Sequence, residues 1–152
     1  MKEDWTYKYF EVLRDIKERY KNDVKYRKQL RLNGVKSQLS QNRKTPETEI
    51  LIEQELNRLK VDYTHHFIIE YYEFDFFIPL KNILIEVQGD YWHGNPLFYE
   101  EKDLLEHQKG KKIRDIQKKT FAENRGYKVL EIWENDIKKN NFSSIKEIFN
   151  VK

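Results

Sequence analysis

The stretch from Glu73 to Gly94, EFDFFIPLKNILIEVQGDYWHG, constrains the fold more than any other part of the chain. It predicts two strands, about Glu73–Ile78 and Ile83–Gln88, joined by the turn Pro79-Leu80-Lys81-Asn82. Side chains alternate across a strand, so Ile83, Ile85 and Val87 point one way and Leu84, Glu86 and Gln88 the other. If the strands pair as a hairpin, Asp75 reaches the end of the sheet that carries Glu86. An ionised carboxylate in a half-buried strand is costly unless it is paired or bound to a cation. Two converging acids therefore point to a divalent metal, although they also suit the polar outer face of an antiparallel sheet.

Asp75, ten residues, then Glu86-Val87-Gln88 resembles the metal-binding core of the PD-(D/E)xK nuclease superfamily, with Gln88 where Lys is usual. The next residues, Gly89-Asp90-Tyr91-Trp92-His93-Gly94, are similar to the glycine-aromatic-Trp-His segment of the very short patch repair (mismatch) endonucleases and the EDxHD phage homing endonucleases. The resemblance spans about Thr45 to Asp136. It implies a restriction-endonuclease-like core, a four-stranded mixed sheet in the order α-β-β-β-α-β flanked by helices, where periodicity alone gives α/β or α+β.

With 152 residues the chain can hold one domain with a sizeable core and an appendage. It has no cysteine, so disulfides and thiolate zinc sites are excluded and no zinc is expected. Without an apolar run near membrane length or a signal-peptide core, no membrane partner is expected and an intracellular, cytoplasmic protein is, while the Lys- and Asn-rich, low-Pro composition suits an A/T-rich phage or bacterial genome. The net charge of +3 hides an uneven distribution. Eleven Lys/Arg face three Asp/Glu between Arg14 and Lys44, four face fourteen between Glu47 and Glu106, and eight face two between Lys109 and Lys128. Basic flanks around an acidic middle suit a chain that grips a polyanion and works on it with carboxylates, and equally suit solvated helix faces.

Residues 1–44 read as a basic helical arm, apolar at Trp5, Tyr9, Val12, Leu13, Ile16 and Tyr20, followed by a polar linker; residues 45–152 read as the catalytic domain. Arg27, Lys28 and Arg31 of the arm are candidate contacts to double-stranded DNA. Thr45-Pro46-Glu47 opens a helix running to about Lys60, with Thr45 as N-cap and Pro46 at the first helical position. Tyr63–Tyr72 reads as a strand in which His65 and His66 face opposite sides as surface or packing residues. Lys111–Arg125 is a predicted helix with Lys111, Lys112, Arg114, Lys118 and Lys119 outward, the first four being candidate DNA contacts; Tyr127–Trp133 is the fourth predicted strand.

The two acids Asp75 and Glu86, with the Val87 carbonyl as a third donor, are the expected ligands of Mg²⁺, for which Mn²⁺ can substitute. In the mismatch endonucleases the position of Glu86 is not acidic. Gln88 cannot take a proton at neutral pH and can only orient a water or a phosphate oxygen. The resemblance assigns the general base to His93, whose ordinary pKa suits the task, and to Asp115 the orientation of that imidazole. It also places Glu49 as the helical acid, with Glu47 and Glu53 as alternatives, and Tyr91 and Trp92 as wedges into the base stack. Asp115 equally suits a helix-surface ion pair with Lys118 or Lys119, and Trp92 equally suits core packing.

These residues predict a Mg²⁺-dependent, site-specific endodeoxyribonuclease of homing type. Mismatch-nicking and restriction-type enzymes are the nearer alternatives, and a non-catalytic DNA-binding module on a nuclease fold is the remoter one. A single carboxylate cluster cuts one strand at a time, so a staggered double cut implies a homodimer or two successive events.

Overall fold

The computed structural model describes residues 44–150 and, ahead of them, Glu11, Arg14, Asp15, Glu18, Arg19, Asn22, Asp23, Lys25 and Gln29. By its contacts the chain divides into two units, residues 1–42 with 68–73 and residues 43–67 with 74–152. In the first unit the described positions of the arm other than Asp23 are helical, and Arg14 and Arg19 pair with Glu11 and Asp15 of their own helix, at 3.6 and 3.9 Å. Arg27, Lys28, Arg31 and the apolar stripe from Trp5 to Tyr20 lie outside the described residues.

The β-branched and aromatic runs form the expected four strands: β1 (Thr64–Ile69), β2 (Tyr72–Ile78), β3 (Ile83–Gln88) and β4 (Lys128–Trp133), in spatial order β1-β2-β3-β4. β2 and β3 are antiparallel with Phe76 opposite Ile85, and β3 and β4 are parallel with Glu86 opposite Glu131. The sheet is therefore mixed, and the fold is α+β. Among the described residues that follow the arm, four α-helices accompany it: α1 (Glu47–Arg58), α2 (Glu106–Glu123), α3 (Glu134–Lys138) and α4 (Ser143–Ile148). A parallel pair needs a long crossover, and α2 supplies it between β3 and β4.

The alternation of β3 sorts the two faces. Ile83 and Ile85 join Phe76, Ile78 and Ile132 in a core with Ile52 and Leu56 of α1 and with Ile137, Phe142 and Ile145 of the C-terminal helices. On the other face Phe67 stacks on Phe77 at 4.3 Å, and Tyr127 meets Phe77 edge-on at 5.7 Å. The β2–β3 turn depends on Asn82, whose left-handed backbone (φ 54) and side-chain bond to the Gly126 carbonyl at 2.7 Å tie it to the residue that follows α2. α1 begins one residue later than expected. Pro46 has an extended backbone (ψ 147) and its carbonyl accepts the first helical bond from Ile50, so Pro46 rather than Thr45 is the N-cap. α2 starts at Glu106, five residues before the predicted start, because Gln108 folds back onto the Leu105 amide at 2.9 Å and satisfies one of the orphan groups of a helix start. Among the described residues no helix is long and apolar enough to cross a membrane.

Candidate active site

The carboxyl end of β3 is where the proposed chemistry collects. β2 pairs Phe76 with Ile85 of β3, and the neighbouring Asp75 Oδ2 accepts the backbone N–H of Val87 at 2.7 Å. A side chain thus takes a strand N–H, and Asp75 is anchored at the sheet end. The nearby acid is Glu49, 5% exposed on α1. Burial pushes the Glu49 carboxyl up from its ordinary value and the negative charge of Asp75 pushes it further, while a hydrogen bond from His65 opposes both. Of the three acids weighed on this helix, Glu49 is the one beside Asp75. Glu53 accepts the Tyr63 hydroxyl at 2.7 Å, and Glu47 is exposed.

Glu86 does not share this surrounding. Val87 packs toward the α1 core, so its neighbour Glu86 turns to the opposite face, where it forms an ion pair with Lys118 of α2. The same face holds Gln88, 4% exposed, whose amide donates to Glu131 Oε1 at 3.4 Å, while Lys119 donates to Glu131 Oε2 at 2.7 Å. Glu86 and Gln88 thus meet Lys118 of α2 and Glu131 of β4 on this face. The structure also turns Lys118 and Lys119 inward, away from the outward placement expected of them, since the two strand acids draw their ammonium groups onto the sheet. Lys118 lies as well 4.6 Å above the ring of Phe74.

The loop that leaves β3 carries His93 and is held at several points. Its chain coils through His93 N–H to Gly89 O (3.0 Å) and Asn95 N–H to Asp90 O (2.9 Å). Asp90 N–H donates to Glu134 Oε2 at 3.1 Å, and the fully buried Gln108 donates to the Tyr91 carbonyl at 2.6 Å. Lys138 donates to Glu134 and holds its carboxyl below the usual range, which keeps that anchor ionised. Gly94 has φ +61, and a Cβ there would sit 2.4 Å from Leu104 Cδ2, so both backbone and space demand glycine. So braced, His93 places Nδ1 2.5 Å from Asp115 Oδ2; both side chains are about one-eighth exposed, at 13% and 15%. Asp115 pairs in addition with Lys111 at 3.7 Å.

Beside this loop lies an exposed aromatic rim. Tyr91 and Trp92 are 45% and 63% exposed and meet edge-on at 5.2 Å, each also against His107, so Trp92 is not a core residue. Leu97 and Phe98 on the same loop are exposed as well. Of the predicted DNA contacts on α2, Arg114 is exposed, Lys111 faces Asp115, and Lys112 pairs with Glu101 at 3.4 Å.

The bracing role of Gln108 is not legible in the sequence, since nothing local marks an amide that bonds a loop carbonyl seventeen residues away. No protein-family model matches the chain, and no curated protein does. Among solved structures the chain is similar to the catalytic domain of the homing endonuclease I-Bth0305I, at 20% identity and a TM-score of 0.47 over 70% of this chain and 92% of that one.

Proposed function

We propose that this chain is a metal-dependent endonuclease of duplex DNA, with His93 as general base. The observation that carries the reading is the His93–Asp115 pair at 2.5 Å, borne on a braced loop that leaves the strand end where Asp75 is anchored. Asp115 accepts the Nδ1 proton and so leaves Nε2 as the basic nitrogen. Nε2 takes a proton from a water as its oxygen bonds to phosphorus and the phosphodiester bond on the far side breaks.

Asp75 and Glu49 suit a divalent cation, because each raises the cost of the other's charge and a cation removes that cost. They would hold it, with the main chain of Val87 alongside, and Mg²⁺ or Mn²⁺ supplies the charge that neutralises the phosphate during attack. Glu86 is left out of this set, since Lys118 already neutralises it. The exposed Tyr91 and Trp92 suit stacking against unpaired or opened bases. Arg114, Lys111 and Lys112 suit the phosphate backbone, as does the basic arm of residues 1–44.

A homing-type role is preferred to mismatch repair. The mismatch enzymes carry a structural zinc on cysteine ligands, and this chain has no cysteine. Incubation with supercoiled plasmid and Mg²⁺ tests the reading: nicked or linear product from the wild type, absent with chelator and with Asp75→Ala, supports it. Plasmid unchanged at every salt concentration overturns it.

A further inference from the structure

β1 breaks its own alternation at one place. His65 and His66 are consecutive and would face opposite sides of a regular strand. His66 instead takes φ 53, a left-handed backbone that few residues with a side chain adopt and that costs of order 1–3 kcal/mol unless the surroundings fix it. The two imidazoles are thereby brought into a stack, 3.9 Å between centroids and 19° between planes. The His65 ring lies flat on Phe76 at 4.6 Å, which fixes its orientation, and its Nε2 is 2.9 Å from Glu49 Oε2. One donor atom each from Glu49, His65 and His66 falls within 4.8 Å of the other two. Burial grades outward through the three, from Glu49 (buried) through His65 (half-buried) to His66 (exposed), leaving an approach from solvent.

We propose that Glu49, His65 and His66 form a binding site for a borderline divalent transition-metal cation, of which Zn²⁺ is the type, joining α1 to β1. Two imidazole nitrogens and one carboxylate suit zinc, with a fourth position left to water, whereas Mg²⁺ takes oxygen donors. The hydrogen bond between His65 and Glu49 holds the position a cation takes, with a proton in its stead. A buried carboxylate with a second acid nearby also favours a positive charge at this point. Zinc was not expected from the sequence because no cysteine is present, and this donor set needs none. The site does not depend on the nuclease reading, although Glu49 belongs to both.

Calorimetric titration of the full chain with Zn²⁺ alone, without DNA, tests it. One Zn²⁺ per chain is expected, bound at least ~10-fold more weakly by His66→Ala and by His65→Ala, with His107→Ala unchanged. X-ray absorption on the zinc-loaded unmodified chain is independent of any variant's folding and should show two imidazole nitrogens at about 2.0–2.1 Å. Absence of saturable binding, equal affinity in the His65→Ala/His66→Ala double variant, or fewer than two imidazoles in the absorption data overturns the proposal. Zinc binding in a chain that leaves plasmid intact would uphold this site while removing the nuclease reading, and cleavage in Mg²⁺ without zinc binding would do the reverse.

Discussion

His93 Nδ1 and Asp115 Oδ2 stand 2.5 Å apart although 22 residues separate them, one on the loop after β3 and the other on α2. The carboxylate decides which ring nitrogen stays basic. Asp115→Asn removes that control and should lower the rate of DNA cleavage by about 10- to 100-fold while leaving DNA affinity unchanged. Single-turnover cleavage compared with filter binding on the same duplex measures the two separately.

Asp75 and Glu86, adjacent in the sequence reading, diverge in their consequences. Asp75→Asn should lower cleavage by more than about 100-fold, as expected for loss of a group that holds the catalytic charge. Glu86→Gln should keep cleavage within the same order of magnitude and instead cost about 1–3 kcal/mol of stability, since it removes the carboxylate charge that Lys118 pairs with on this face. Plasmid cleavage and urea unfolding of the two variants distinguish them; loss of cleavage in Glu86→Gln would restore it to the site.

The strands and the helix before them are legible in the sequence because alternation and β-branched runs report burial directly, whereas the mixed sheet is expected only from the resemblance. His93 and Asp115 are legible only through the Gly-aromatic-Trp-His segment and the resemblance it carries, which also has Asp115 orient the imidazole; periodicity alone gives Asp115 a helix-surface ion pair just as well. The pairing of His65 with His66 is invisible, since a single left-handed residue in a strand overrides the period of two. Gln108 carries no sequence signal, because a buried amide that braces a distant loop looks like any surface polar residue.

Glu49 makes stability depend on pH in a stated direction. Its folded-state pKa is raised, chiefly by burial, so between the ordinary value of 4.5 and the raised one the folded chain holds the proton more tightly than the unfolded chain. Stability contributed by this group is therefore full below 4.5 and is lost as pH rises through the folded value. Glu49→Gln should raise the melting temperature at neutral pH in the absence of divalent cations, with the difference vanishing in acid. Thermal melts at a series of pH values check this, and a variant less stable than wild type at pH 7 would contradict it.

Trp92 is 63% exposed and contributes little to the core. Trp92→Ala should leave the melting temperature within a few degrees of wild type and weaken DNA binding by about 1–3 kcal/mol, the usual worth of one aromatic stack on a base. Fluorescence anisotropy with a labelled duplex reads the affinity.

The central claim is that an imidazole held by Asp115 takes the proton from the attacking water. The most direct measurement is cleavage and binding of one duplex by His93→Ala beside wild type, in Mg²⁺ and across neutral pH. The account predicts binding within the same order of magnitude and a cleavage rate lower by about 10²- to 10⁴-fold. A variant that binds the duplex and cuts it at the wild-type rate would contradict it.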